Sequence, residues 1–327
     1  MNDNLSLDLV TWGESMVRLS SPPGGSLETA QALDFKIGGA ESNVAVNLAR
    51  LGWRTGWASR LPDNALGWRI VRELAGHGVD TSQVLLVPDD RCGVYFIDPG
   101  TAPRPTRVVY DRADSALSRM TLAELNLDYL SSAGTLHLTG ITPALSQSCR
   151  EAWLESARRA KAGGSRVVLD VNYRAKLWTP EEAREALEAV FPFVDVVLCG
   201  AADLRLIFTM EPNPEAAARS FAERYGVGLV VLTLGAEGAL AFDAGEGRVE
   251  TAPAVPTVVR DRIGAGDAFA AGFIFGLREE GLLYGLRCGN ALAALKQTFE
   301  GDVSLTGREE LLEVVASGGG DPRGIRR

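Results

Sequence analysis

Asp261-Arg262-Ile263-Gly264-Ala265-Gly266-Asp267-Ala268-Phe269 runs directly into the apolar stretch Ala270-Ala271-Gly272-Phe273-Ile274-Phe275-Gly276-Leu277. A turn of small residues opening into a hydrophobic helix leaves the first backbone N–H groups of that helix unpaired, an arrangement suited to a phosphate. Asp267 stands at the same point. A carboxylate beside an anion repels it, which makes little sense for storage. It makes sense where a hydroxyl loses a proton while receiving a phosphoryl group. An aspartate capping an ordinary helix accounts for these residues equally well, and the surrounding chain decides between the two.

Downstream, the apolar helix extends to Glu280, and a second from Leu282 to about Phe299 contains Asn290 and is closed by Gly301-Asp302. Residues 317–327 read as a flexible tail. Upstream, apolar strands alternate with amphipathic helices. The strands are Thr135–Thr139, Arg166–Val171, Val194–Cys199 and Gly228–Thr233; the helices are Ser146–Ala162, Pro180–Val190 and Pro214–Tyr225. That alternation predicts an α/β fold, a doubly wound and mostly parallel sheet covered on both faces. Ligands then bind outside the carboxyl ends of the strands. Two such ends are polar or glycine-rich. Asp170-Val171-Asn172-Tyr173-Arg174 puts Asp170, Asn172 and Arg174 on one side if the chain stays extended, and Thr233-Leu234-Gly235-Ala236-Glu237-Gly238 is a glycine-spaced turn.

Nearer the start, Asp8–Leu19 is extended, and Gly38-Gly39-Ala40-Glu41-Ser42-Asn43 opens a second glycine-started helix that stops at Gly52. Those glycines serve either a tight turn or the close approach of a ligand, with Asn43 or Asn47 supplying amide contacts. Between Gln83 and Arg112 the helical pattern disappears. Val84–Val87, Gly93–Ile97 and Arg107–Arg112 read as short strands of a small antiparallel sheet, and Val108, Tyr110 and Arg112 share one face of the last. That face is either a solvated surface or part of a site.

The 327 residues suffice for a large core, and no apolar run approaches the length that spans a bilayer. Together with a start lacking a signal peptide's features, this points to a cytoplasmic protein without a membrane partner. A net charge of −9 argues against a general nucleic-acid binder. Cys92, Cys149, Cys199 and Cys288 are scattered and read as reduced core residues; two histidines exclude a histidine-rich metal site, and His137 reads as a core strand residue. No lysine follows a glycine, which removes the P-loop class of phosphate site. A dinucleotide fingerprint fails because Phe269 stands where its third glycine belongs.

Taken together, the motif Gly38–Asn43 and the motif Asp261–Asp267, in that order and with this βα pattern, resemble the ribokinase-like carbohydrate kinases over nearly the whole chain. Leu136–Leu145 and Asp170–Trp178 look most like the 2-keto-3-deoxygluconate kinases among them. The resemblance implies one kinase domain over residues 1–316, with lid strands drawn from about 14–38 and 83–112, and homo-oligomers formed through the lid. It implies ATP, Mg2+ and, in some members, a monovalent cation. It implies that Gly39, Tyr95, Tyr110, Arg112, Arg174 and Asp302 line the sugar site, that Thr233, Gly235, Gly238 and Asn290 hold the nucleotide, and that Asp267 and the amides of Gly264, Ala265 and Gly266 act on the phosphoryl group.

Charge gives an independent reason to expect a sugar acid. A neutral sugar is held by Asp and Asn, whereas a carboxylate is matched by guanidinium groups, here Arg112 and Arg174. Arg174 on the transferred phosphate, with Arg112 alone on the carboxylate, is the alternative; a neutral sugar, a nucleoside or a non-catalytic sensor also remain open. The helix N-terminus is expected to lower the pKa of Asp267, leaving it ionised but a weak base. Two residues depart from the family pattern. Arg262 replaces a small residue, and Gly200 with Asp203 stands where many members carry an Asn and a Glu that organise magnesium through water, leaving only Asp203 for that task.

Overall fold

Short runs rich in valine and leucine become strands, and the amphipathic stretches between them become helices with recognisable starts and stops. The computed structural model describes residues 7–100 and 103–318. The chain begins with β1 (Leu9–Trp12), β2 (Met16–Ser20), β3 (Asp34–Gly38), α1 (Ala40–Arg50), β4 (Thr55–Pro62), α2 (Ala65–Gly76), β5 (Val84–Val87), β6 (Val94–Asp98) and β7 (Arg107–Asp111). Next come α3 (Leu127–Ser131), β8 (Thr135–Thr139), α4 (Gln147–Ala162), β9 (Arg166–Asp170), α5 (Pro180–Val190), β10 (Val196–Gly200), α6 (Ala201–Phe208) and α7 (Pro214–Tyr225). It ends with β11 (Leu229–Thr233), β12 (Ala239–Asp243), β13 (Arg248–Ala252), α8 (Ala265–Glu279), α9 (Leu282–Gln297) and α10 (Arg308–Ser317). Local chemistry sets the bounds. Thr179 and Glu182 form a capping box around Pro180 at the start of α5, and α7 runs from the Asn213 cap to Gly226 in the left-handed region at φ +67°.

Nine strands form the large sheet in the order β13-β12-β11-β10-β9-β8-β1-β4-β5. All neighbours from β11 to β5 are parallel, and β12 and β13 close that edge antiparallel. From β1 the chain builds outward through β4 and β5 on one side and through β8 to β11 on the other. The order therefore switches between β1 and β8, where a crevice opens at the strand ends. Alternate side chains feed two cores. Trp12, Leu169 and Val197 pack with Trp153 and Phe221 under α4 and α7, while Leu9, Val168 and Val196 pack with Val44, Phe273 and Leu286 under α1, α8 and α9. Helices α8 and α9 lie in backbone contact, since a Cβ at Gly272 would stand 2.5 Å from the Cys288 carbonyl oxygen.

The second sheet, ordered β3-β2-β6-β7, departs from the expected antiparallel one. Its two outer pairs are antiparallel, but β2 and β6 run parallel, because each arrives from the large sheet in the same direction. Val84–Val87 is not one of its strands; it follows α2 as an ordinary crossover and pairs parallel with β4. A four-residue apolar run has no periodicity that names its partner. Strand β13 and helices α6 and α10 were not legible in the sequence. The four cysteines are buried and free, and His137 is fully buried, held neutral by burial that pushes its pKa down to about 3. No helix among the described residues is long and apolar enough to cross a membrane. Of the expected tail, Ser317 closes α10 and Gly318 follows it; residues 319–327 lie outside the described residues.

Candidate active site

Helices α1 and α8 begin side by side at the β1–β8 switch. Gly264 precedes α8 in the left-handed region at φ +82°, and a Cβ there would fall 1.8 Å from the Asp302 carbonyl oxygen, so the fold itself demands glycine. At Gly266 a Cβ would meet nothing within 4 Å. The Ala265 N–H is turned back to the Arg262 carbonyl at 3.2 Å, so the expected three-amide cradle is narrower. The N–H groups of Gly264 and Gly266 have no acceptor among the described residues.

Asp267 is buried one turn into α8, with Oδ2 accepting from Asn43 Nδ2 of α1 at 2.7 Å. The expectation of a lowered pKa is wrong. Burial, with help from the Asp302 charge, outweighs Asn43, Arg174 and Asn172 and lifts Asp267 to about 6. A partial helix charge offsets desolvation only in part when the carboxylate is this deep.

Asp170 ends β9 in register with Thr139 of β8 and Leu198 of β10. The extended geometry expected beyond it does not persist. Asn172 takes φ +39°, turning its amide back so that Nδ2 lies 3.2 Å from Asp170 Oδ2 and 3.5 Å from Asp267 Oδ1. Arg174 is thrown outward and exposed, yet it still lowers the pKa of Asp267, Asp170 and Asp203 through its charge. Burial and the Asp267 charge push Asp170 up to about 7. Behind the pair sits Glu41 of α1, whose Oε1 accepts from the hydroxyls of Thr139 (2.6 Å) and Thr142 (2.7 Å); burial raises its pKa. Neither Asp170 nor Glu41 was assigned a role from sequence, although Asp170 lay on a strand exit already singled out.

The small sheet covers this crevice with a polar face. The register aligns Lys36, Arg18, Tyr95 and Tyr110 across its four strands. Tyr95 is buried and donates to Asp302 Oδ2 at 2.7 Å, while Arg18 donates to Asp302 Oδ1 at 2.7 Å and to Asp261 Oδ2 at 2.5 Å. Both Asp302 oxygens are thus engaged within the protein, and Asp302 ties the small sheet to the start of α8. Tyr110 is partly exposed, stacks on Tyr95, and has Arg112 and Lys176 each within 6 Å of its ring centre. Lys176 Nζ also donates to the Val108 carbonyl at 2.7 Å. Arg112 is ion-paired with Glu14, a buried carboxylate at the exit of β1, and its Nε has no acceptor among the described residues. Glu14, Arg18 and Lys176 were missed; Glu14 obeys the same strand-exit rule as Asp170. Gly39 has φ −174°, and a Cβ there would lie 2.1 Å from the Glu14 carbonyl oxygen, so packing accounts for that glycine. Asn47 is buried and accepts from the Ser304 N–H at 2.9 Å, away from the crevice.

On the far side, Thr233 stands in register with Gly200 at the exits of β11 and β10. Gly235 and Gly238 shape the following turn at φ +62° and +103°. Asn290 spends its Nδ2 on the carbonyls of Ala252 (2.9 Å) and Pro253 (3.0 Å), holding the end of β13 against α9. Asp203 is half-buried, and burial raises its pKa. Among the described residues no group of three or more His, Cys, Asp or Glu could cage a metal ion. The lone carboxylates Asp203 and Asp170 at neighbouring exits suit an ion that keeps most of its ligands as water and phosphate oxygens, as magnesium does.

The sequence profile of pfkB family carbohydrate kinases matches residues 6–305. A 2-dehydro-3-deoxygalactonokinase of Haloferax volcanii is 42% identical over 96% of this chain and 98% of its own length. A 2-dehydro-3-deoxygluconokinase of Bacillus subtilis is 36% identical over 96% of this chain and 97% of its own. The crystal structure of a 2-dehydro-3-deoxygluconokinase of Thermotoga maritima superposes with a TM-score of 0.89 at 30% identity, covering 95% of this chain and 98% of that one. With a matched profile spanning both glycine motifs, the chain belongs to the pfkB family of carbohydrate kinases.

Proposed function

We propose that this carbohydrate kinase transfers the γ-phosphate of ATP to the C6 hydroxyl of a 2-keto-3-deoxy sugar acid, with 2-keto-3-deoxygluconate as the leading substrate. The observation that carries the sugar-acid reading is the cationic rim of the crevice. Arg112 and Lys176 flank Tyr110, and Arg174 stands beside the buried acids. Glu14 holds Arg112 by one nitrogen and leaves its Nε for a further acceptor, which a substrate carboxylate supplies. The named substrates of the Haloferax, Bacillus and Thermotoga relatives are acids of this class.

In this reading the acceptor hydroxyl lies against Asp267. The open N–H groups of Gly264 and Gly266 hold the moving phosphoryl group, and Arg174 balances its charge. Asp267, with its pKa near 6, is ionised at neutral pH and is a stronger base than an exposed aspartate. An alcohol is still far too weak an acid to be deprotonated beforehand, so the proton passes to Asp267 as the O–P bond forms. Alignment and charge stabilisation supply most of the acceleration. Thr233, Gly235, Gly238 and Asn290 belong to the nucleotide side. Asp203 and Asp170 are the residues that would hold magnesium, which would supply charge neutralisation of the phosphates.

The small sheet acts as a lid over the sugar. Its outer row Phe35, Leu19, Phe96 and Val109 is apolar and partly exposed, which suits pairing of two copies through the lid. A coupled ADP-release assay over 2-keto-3-deoxygluconate, its galacto epimer, gluconate, fructose and ribose tests the substrate. The 2-keto-3-deoxy acids should exceed fructose and ribose in kcat/KM by about 10²-fold or more; a preference for either neutral sugar overturns the reading.

A further inference from the structure

Lys296 is an unexpected residue behind this site. It lies near the end of α9 with no exposed surface, one of the largest fully buried side chains in the protein. A buried ammonium persists only where the surroundings favour its charge. Its Nζ donates to the backbone carbonyl of Asp261 at 3.0 Å, at the first residue of the loop that leads to Gly264. That is its one acceptor among the described residues, although an ammonium carries three donors. Its pKa is lowered: burial, with Arg18, outweighs the charges of Asp261, Asp302 and Asp267, which oppose the loss of its proton.

The Asp261 loop is held from every side. Its carboxylate accepts from Arg18 (2.5 Å), from the Gly301 N–H (3.0 Å) and from the Ile263 N–H (3.0 Å), and its own N–H donates to the Gln297 carbonyl at 3.2 Å. Behind the phosphate loop, two cations, Arg18 and Lys296, therefore face two carboxylates, Asp261 and Asp302, as a balanced group. Arg18 spends its donors on both carboxylates and on Ser20. Lys296 is directed to a carbonyl instead, so its charge is less fully cancelled by contact. A monovalent metal ion seated on backbone carbonyls would bring the same charge.

We propose that Lys296 is a positioning residue that serves as a tethered monovalent cation for the phosphoryl-transfer loop. Its ammonium fixes the Asp261 carbonyl, and with it the Gly264 and Gly266 amides, and supplies one positive charge behind the transferring group. A chain carrying its own cation here needs no added potassium.

The inference rests on the reading of Gly264–Asp267 as the phosphate site, and the experiment separates the two. The unaltered enzyme should turn over equally in potassium, ammonium and choline chloride at matched concentration; activation by potassium overturns the proposal without any variant. Lys296→Gln keeps a donor for the Asp261 carbonyl but removes the charge, and Lys296→Met removes both. Each, once shown to be folded by circular dichroism, should lose about 10²-fold in kcat, with the KM for the sugar acid moving by less than about threefold. Potassium or ammonium should recover at least about tenfold of that loss and raise the melting temperature of the variants but not of the parent, and choline should do neither. Parent-like kcat in a folded Lys296→Gln, or a loss that no small cation recovers, overturns the tethered-cation role. If Asp267→Asn is inactive while Lys296→Gln is fully active, this inference alone falls. If both remain active, the phosphate-site assignment falls with it.

Discussion

The two glycine-led helix starts, at α1 and at α8, look alike in sequence and do different work. At α1 the fold uses up the glycines. Gly39 has an extended backbone that any residue adopts, and it is glycine because the Glu14 carbonyl lies where a Cβ would go; at Gly38 a Cβ would crowd the Tyr95 hydroxyl and the Asp302 carboxylate. At α8 only Gly264 is consumed in this way. Gly266 faces open space, and its N–H has no acceptor among the described residues. The difference teaches that a glycine left unexplained by backbone angle or by packing is the one to assign to a ligand, and that a glycine motif in sequence does not separate the two.

The largest effect should fall on the carboxylate that belongs to the α8 start alone. Asp267→Asn keeps the shape and the bond geometry around Asn43 but cannot accept a proton. Steady-state turnover should drop by about 10³-fold, with ATP affinity by calorimetry little changed. Turnover within tenfold of the parent would remove the reason for treating α8 as the reacting end. Next in size is Gly266→Ala. Because a methyl there touches nothing in the protein, the melting temperature should hold while kcat falls by about 10²-fold. Gly39→Ala should do the reverse, lowering the melting temperature by several degrees as the chain moves off the Glu14 carbonyl. Equal loss of melting temperature in both variants would erase the distinction between the two starts.

This contrast also marks how far the sequence could be read. Strand and helix alternation from Thr135 to Tyr225 carried the large sheet, because period and capping residues are local properties; Pro180–Val190 and Pro214–Tyr225 match to the residue. The small sheet was legible as a break in that period but not in its pairing, since Val84–Val87 finds its partner β4 only in three dimensions. At the site, Asp267, Arg112 and Arg174 stood out by type and place, and Tyr95 only through the family resemblance. Glu41, Arg18 and Lys296 did not, because each sits in an apolar or mixed run and gains its meaning from a partner on another element, Thr139 for Glu41, Asp302 for Arg18 and the Asp261 carbonyl for Lys296. The pKa of Asp267 failed for the same reason. A helix end is visible in the chain, but the depth of burial that opposes it is a property of the packed structure.

Asn43 gives the smallest and sharpest test, because in the proposed mechanism the α1 start reaches the chemistry only through its bond to Asp267. Its amide donates to Asp267 and favours the ionised carboxylate, against burial, which favours the neutral one. In the proposed mechanism Asp267 accepts the proton when ionised, so kcat/KM should be full above the Asp267 pKa and fall as the pH drops through about 6, not near the 3.8 of an unperturbed aspartate. Removing the donor in Asn43→Ala lets burial win further. The acid limb should then move up by about half to one unit, and the loss should be clear at pH 6 and small at pH 8. A limb that stays in place would confine α1 to packing; a limb that moves down would mean that Asn43 stabilises the protonated acid, which reverses the assignment of charge at the junction of the two helices.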